Sequence, residues 1–402
     1  MRDSVWIVGV SMTKFGRYPG RDSVDHASEA AQQALDDASL TINDMQILAS
    51  GNLAEASAAL GQRVQKQIGQ TGIPVYNVAN ACATGASAVR IVHLAIKAGE
   101  ADAGIAVGSE VMGKAGLLGG GGRARQDKQV YEPNGRYGAV MGTDGILGTN
   151  SMPGVFATAG MEYAYENDGV GFEQFAKVAE KNHAHSVLNP LAQYQKAFSL
   201  EEIMNAEVVS YPNTLLMCCP TGDGAAAAIL VSEKKLRTLP LETQKRAIKI
   251  GASVMTSDPW TEAGQVQPDV NTLTRNAADQ AYETAGIGPE DLNLVELHDC
   301  FATAELLHYD NLRLCEPGGA GDFIDSRAPW RDGSTPVNVS GGLISKGHPL
   351  GATGIANIFE VSTHLRGEAG DRQVEGAKVG MTHVIGLGSA CAIHILEKAA
   401  VG

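Results

Sequence analysis

Short apolar runs alternate along this chain with stretches whose apolar residues fall at helical spacing. Val5–Val10, Ile47–Ser50, Val75–Val78 and Gly104–Val107 are short, apolar and bounded by turn residues, which predicts strands. Val24–Ala38 has the periodicity of an amphipathic helix, and Ala86–Ala98 is helix-prone. The alternation predicts an α/β fold with a mostly parallel sheet joined by crossovers. From Gly113 the pattern dissolves: six glycines fall between Gly113 and Gly122, and turn-forming residues continue to Thr149. Residues 151–210 read as largely helical without buried strands. Strand character returns with the alanine-rich run Asp223–Val231. A second α/β unit starts near Arg246, with strands at Ala247–Val254, Asn293–Leu297, Val379–Ile385 and Ala390–Leu396. Its helices are Thr272–Ala285, one from Ala302, and Ile355–Leu365. The domain boundaries that follow are an N-terminal half at 1–112, completed by a strand within 222–234, an inserted loop domain at 113–221, and a C-terminal half at 245–402. Long structured insertions of this kind usually serve binding.

Composition narrows the function class. The chain has 402 residues, 44 % hydrophobic, with 48 glycines and a formal net charge of −14. That balance argues against a nucleic-acid surface or an anionic membrane while leaving room for a local cationic pocket. None of the six cysteines forms a C-x-x-C pair, so a reduced, cytoplasmic protein without a disulfide framework is expected. The first apolar run is too short for a signal peptide or a membrane span.

Polar reactive residues concentrate in four glycine-rich or strand-end segments. The first is Asn80-Ala81-Cys82-Ala83-Thr84-Gly85, where a strand turns sharply into a helix and places the Cys82 thiol at the helix N-terminus. A dipole and free N–H groups there favour a thiolate. The second is Glu296-Leu297-His298-Asp299-Cys300-Phe301, whose short turn sets a thiol and an imidazole toward one pocket, with Asp299 read as a cap. The third runs from Ser340-Gly341-Gly342 to Gly347-His348-Pro349, and the fourth is Gly386-Leu387-Gly388. A cysteine nucleophile needs a base within reach and donors for its oxyanion; His348 and the bare backbone at Gly386 suit those needs. Taken alone, Cys82 and Cys300 would be small buried hydrophobes and His348 a turn histidine. Cys218, Cys219, Cys315 and Cys391 read as structural, and His183 and His185 as solvated on a polar helix. No histidine–carboxylate spacing supports a metal site. The Gly116–Gly122 run lacks the P-loop lysine pattern.

Together, Asn-Ala-Cys-Ala-Thr-Gly, His-Asp-Cys-Phe and Ser-Gly-Gly-Leu-Ile-Ser-Lys-Gly-His-Pro-Leu-Gly-Ala-Thr-Gly resemble thiolases of the sterol-carrier-protein type, and the resemblance covers essentially the whole chain. Cys218-Cys219-Pro220-Thr221, Lys181-Asn182-His183 and Arg366-Gly367-Glu368-Ala369-Gly370 are similar to that branch as well. The resemblance implies a thiolase fold: two similar α/β halves in a five-layer αβαβα core with an inserted loop domain, in a homodimer or dimer of dimers. It implies 3-oxoacyl-CoA thiolase activity with coenzyme A as co-substrate and no permanently bound cofactor. Carried over, Cys82 matches the acyl-accepting nucleophile and His348 its base. His298 matches the position that binds the thioester oxygen, and Cys300 matches the second catalytic thiol. The backbone N–H groups of Cys82 and Gly386 match the other oxyanion hole. Arg123 and Arg125, with Lys128, either meet the nucleotide end of coenzyme A or form a solvated charge cluster. Ordinary thiolases carry their second cysteine in a C-x-G motif, where this chain reads Val384-Ile385-Gly386. Where the branch has Glu-His-Met in its loop region, this chain has Glu162-Tyr163-Ala164, which leaves the acyl preference open. No lipid-transfer domain is expected after the thiolase unit. The competing readings are a thiolase-fold acyltransferase or carbon–carbon lyase acting with a small OB-fold partner, and a non-catalytic acyl-CoA or lipid-binding protein.

Overall fold

The computed structural model describes residues 4–113, 131–133, 139–141, 151–260, 269–387 and 390–399. Thirteen strands are described: β1 (Val5–Met12), β2 (Leu48–Gly51), β3 (Val75–Val78), β4 (Ala103–Val111), β5 (Tyr131–Pro133), β6 (Ala139–Met141), β7 (Val208–Ser210), β8 (Asn213–Thr214), β9 (Asp223–Ser232), β10 (Ile248–Thr256), β11 (Leu294–Glu296), β12 (Val379–Gly386) and β13 (Ala390–Glu397). Nine of them form one hydrogen-bonded ladder in the order β11-β12-β13-β10-β1-β9-β4-β2-β3. The junction at its centre is slight, only Trp6 with Lys249 and Ile7 with Ile248. It joins two sheets that otherwise face each other across a layer of helices.

The apolar faces define the layers. β9 is buried throughout, and its side chains alternate between two cores. Ala225, Ala227, Ile229 and Val231 face the outer helices Ser23–Asp37 and Leu60–Ile68. Ala226, Ala228 and Leu230 face the central helices Thr84–Ala98 and Leu350–Arg366. A strand buried on both faces reads as a continuous apolar run, and here the small alanines let both helix layers approach. The third core lies beyond β10, β13 and β12, against the helices Val270–Ala285 and Ala302–Asn311. The five-layer thiolase architecture follows from these three cores and two sheets.

The expected mostly parallel sheet is corrected. Among the described strands, β2–β3, β2–β4 and β11–β12 pair parallel, whereas β1–β9, β1–β10, β4–β9, β10–β13 and β12–β13 pair antiparallel. Two features cause this. The inserted region separates β4 from β9, so β9 returns without a crossover helix, and β12–β13 is a plain hairpin. Strand-like residues are the same in both cases; pairing direction depends on the connection.

The central helices cross at their N-terminal ends, and small residues permit it. A Cβ on Gly85 would sit 2.6 Å from the carbonyl oxygen of Gly351, and one on Gly354 would strike the backbone N of Ala86. This contact brings the Cys82 turn and the Gly347-His348-Pro349 turn together. Gly85→Ala gains about 1 kcal/mol of helix propensity but meets a backbone oxygen that cannot yield. Overpacking of about 1–3 kcal/mol wins. The thermal unfolding midpoint of this variant should fall rather than rise.

Candidate active site

Cys82 lies between β3 and the Thr84–Ala98 helix, in a turn held open by a left-handed Ala81 (φ 46°). Thr84 fixes this turn: its hydroxyl donates to the Ala81 carbonyl at 2.6 Å and accepts from the Asn80 N–H at 2.8 Å. Cys82 is buried against Ala83, Leu350, Val384 and Ala390. Val384 therefore packs beside Cys82 at the position where the resemblance expects a thiol in ordinary thiolases. Gly386 closes over the same turn, since a side chain there would collide with the Asn80 carbonyl. The helix N-terminus alone predicts a thiolate, but burial outweighs it. Desolvation pushes the Cys82 thiol up to about 12, backbone hydrogen bonding opposes this, and Glu110 adds to it. The resting side chain is a neutral thiol and needs a base.

His348 has that capacity. Its Nδ1 lies 2.7 Å from the Thr353 hydroxyl, which itself donates to the Pro349 carbonyl at 2.9 Å. With its proton committed to Pro349, the hydroxyl can only accept, so Nδ1 carries the imidazole proton and Nε2 presents a lone pair. Nε2 is buried and has no hydrogen-bond partner. Burial holds this imidazole well below its ordinary range, with His298 and Lys346 adding to the effect, so it stays neutral. The Cys82 sulfur and one ring nitrogen each of His298 and His348 all lie within 4.8 Å of one another. The two rings meet edge-on at 5.3 Å.

His298 and Cys300 come from the turn between β11 and the Ala302–Asn311 helix. Both His298 nitrogens are buried without partners, and burial pushes its pKa down to about 3. It is a neutral ring free to donate into the pocket. Burial raises the Cys300 thiol, with Cys219, Cys82 and Asp299 adding to the shift; the two catalytic candidates are thus close enough to feel each other. Asp299 is a cap, as expected, but not of its own helix. It accepts from the N–H groups of Leu343 at 2.7 Å and Ile344 at 3.3 Å, in the short helix Gly342–Lys346 that precedes His348.

A buried polar network locks these turns. Asn182 donates to Asp299 at 2.8 Å and to Glu305 at 2.6 Å. Lys181, fully buried, pairs with Glu305 at 2.8 Å and donates to the Val337 carbonyl at 2.7 Å. Tyr309 and Asn338 complete the shell of Glu305. Glu296 accepts from the Ser340 backbone at 3.1 Å and from Lys346 at 3.2 Å.

Four of the predicted residues therefore meet: Cys82, His298, Cys300 and His348, with Gly386 at the rim. Arg123, Arg125 and Lys128 lie outside the described residues. The solvated reading of His183 and His185 is overturned. Both are buried; His183 bonds the Leu216 carbonyl at 2.9 Å and the Ser345 hydroxyl at 3.1 Å, and His185 bonds the Asn338 carbonyl at 3.0 Å. Their helix is polar because it carries the network, not because it meets water. Tyr163 is also buried, and its hydroxyl donates to Asp310 at 3.0 Å. Cys219 was read as structural, and its N–H donates to the Cys300 carbonyl at 2.9 Å; Cys82 adds to the burial-driven rise of its thiol, and Cys219 in turn adds to that of Cys300. Sequence reasoning missed Lys181, Asn182 and Glu305 as supports, because a charged residue on a helix carries no mark of burial.

The chain and its fold match known proteins. The description "Thiolase, N-terminal domain" fits residues 5–234 and "Thiolase C-terminal domain-like" fits residues 260–398. The chain belongs to the thiolase family. Its branch is the sterol-carrier-protein type: it is 40 % identical over 399 residues to sterol carrier protein 2 of Oryctolagus cuniculus, covering 98 % of this chain and 72 % of that protein. It is 36 % identical to the acetyl-CoA acetyltransferase of Methanothermobacter thermautotrophicus, over 99 % of this chain and all (100 %) of that one. Among solved structures, an Ltp2-ChsH2(DUF35) aldolase matches with TM-score 0.80 at 22 % identity, covering 98 % of both chains. Human mitochondrial 3-ketoacyl-CoA thiolase in complex with CoA matches with TM-score 0.70 at 19 % identity, over 99 % of this chain and 98 % of that chain. Both likenesses concern the fold. Among the described residues, no helix is long and apolar enough to cross a membrane.

Thr353→Val keeps the shape but removes the acceptor that sets the His348 tautomer. Alkylation of Cys82 by iodoacetamide, followed by mass spectrometry, should slow by about tenfold or more, the usual scale for losing an orienting partner.

Proposed function

We propose that this protein is a 3-oxoacyl-CoA thiolase working through an acyl-cysteine. The observation that carries the reading is the buried convergence of the Cys82 sulfur with ring nitrogens of His298 and His348 within 4.8 Å, where His348 Nε2 has no other partner. His348 removes the Cys82 proton as the sulfur attacks the 3-keto carbon. The Cα–Cβ bond breaks, the acyl group stays on Cys82, and the electron pair leaves as the acetyl-CoA enolate. His298 donates to that enolate oxygen, and Cys300 supplies the proton to its α-carbon. Coenzyme A then enters as co-substrate. Cys300 takes its thiol proton, the thiolate lifts the acyl group from Cys82, and the departing Cys82 sulfur takes back the proton held by His348, restoring both cysteines and the base. The N–H groups of Cys82 and Gly386 hold the oxyanion of each tetrahedral intermediate. Burial disfavours a resting thiolate, which couples proton removal to attack and keeps the thiol from idle reaction. The same groups serve the reverse, Claisen direction.

The likeness to the aldolase complex favours a second reading, a carbon–carbon lyase needing a small partner. A burst of acyl-enzyme separates the two, because only the thiolase route loads Cys82. Mixed with acetoacetyl-CoA, the wild type should gain one acetyl group at Cys82, removable by coenzyme A. Cys82→Ser should lose thiolysis by at least about 10³-fold. Cys300→Ala should still acylate slowly with exchange at the α-carbon abolished. An unacylated Cys82 in an active enzyme overturns the proposal.

The pH dependence follows from the same geometry. A base whose pKa is depressed stays unprotonated as pH falls, so the acid limit of kcat/KM should lie below about pH 6.5, the ordinary imidazole value. A pH profile of acetoacetyl-CoA cleavage checks this.

A further inference from the structure

We infer that Cys82, His298 and His348 form a binding site for a borderline-soft divalent cation, Zn²⁺ in the first place, whose occupancy competes with acylation. This goes beyond the proposed thiolase reaction, in which no metal takes part. The donor set is one sulfur and two imidazole nitrogens, the ligand types zinc prefers. Their ligand atoms lie within 4.8 Å of one another. Tetrahedral bonds of about 2.0–2.3 Å need ligands roughly 3.3–3.7 Å apart, so side-chain rotations of about 1 Å close the gap. Two further observations point to a ligand. His298 is buried with neither nitrogen partnered, and His348 Nε2 is buried and unpartnered. His348 is also presented in the tautomer that ligates, since Thr353 engages its Nδ1; an orienting partner of this kind is typical of zinc-bound imidazole. Three protein ligands leave a fourth position for water.

Binding is balanced by one proton: the Cys82 thiol releases H⁺ to solvent and its sulfur bonds the cation. A metal-bound sulfur is no longer a free nucleophile. The cation is thus a reversible blocker that holds the enzyme idle and shields its thiol, released by any stronger chelator.

The test uses chelator-treated full chain titrated with Co²⁺, which reports its ligands by colour. One equivalent should produce the visible bands of a four-coordinate ion and a near-ultraviolet thiolate-to-cobalt band, both erased by Zn²⁺. Cys82→Ser should lose the near-ultraviolet band, and His298→Ala should bind at least about tenfold more weakly. Cys315→Ser, at a half-buried thiol away from the site, should match the wild type. A measurement on the unaltered protein guards against misfolded variants: saturating Zn²⁺ should slow iodoacetamide labelling of Cys82 at least about tenfold, and EDTA should restore it. A thiolate band that survives Cys82→Ser, no four-coordinate spectrum, or unchanged labelling under Zn²⁺ would overturn the inference. None of these readouts requires turnover, so failure of the thiolase reading leaves them intact.

Discussion

The site depends on one buried carboxylate. Asp299 sits between His298 and Cys300 in sequence and accepts from Leu343 and Ile344, just before His348. Through it, a turn on one sheet edge fixes the start of another loop that carries His348. Its second partner, Asn182, extends the tie to Glu305 and, with Lys181, to a helix of the inserted region. Burial, with Glu305 adding to it, raises the Asp299 carboxyl well above its ordinary range, opposed by the Leu343 and Ile344 N–H groups, and a polar group buried here is costly unless hydrogen-bonded. The network meets that requirement with donors from Asn182, Leu343 and Ile344, which ties together the segments whose two imidazoles and two thiols share a pocket. The helix carrying Lys181 and Asn182 thereby holds the turns of His298, Cys300 and His348 in place.

Burial sets the chemistry as firmly as position. The same desolvation that raises the Cys82 thiol lowers His298 and His348. All three rest neutral. A neutral thiol beside a neutral imidazole is stable without solvent, and in the proposed reaction the proton transfer between them is short and creates charge only as the oxyanion donors are engaged. Tautomer control by Thr353 makes the transfer directional. The helix N-terminus, which on local grounds favours a thiolate, is a weaker influence than loss of water around the sulfur.

Much of this was legible in residue order. The strands and helices of both halves fall where their periodicity places them, because period and burial are local properties. The Asn-Ala-Cys-Ala-Thr-Gly, His-Asp-Cys-Phe and Gly-His-Pro segments announce themselves, because tight turns and reactive groups demand particular residues at adjacent positions. Asp299 was legible as a cap, though not which helix it caps. His183 and His185 were misread, since a polar helix facing a buried network has the same composition as one facing water. Sheet direction was misread because a strand's residues do not reveal how the chain returns.

The sequence by itself determined the elements, the candidate site residues and the family, all of which rest on neighbours in the chain. Only the tertiary structure decided that Cys82, His298 and His348 converge within 4.8 Å, that Lys181 is buried rather than solvated, and that the thiol rests protonated. Those outcomes depend on which distant surfaces exclude water from one another. Desolvation and long-range hydrogen bonding belong to the packed chain, not to any segment of it.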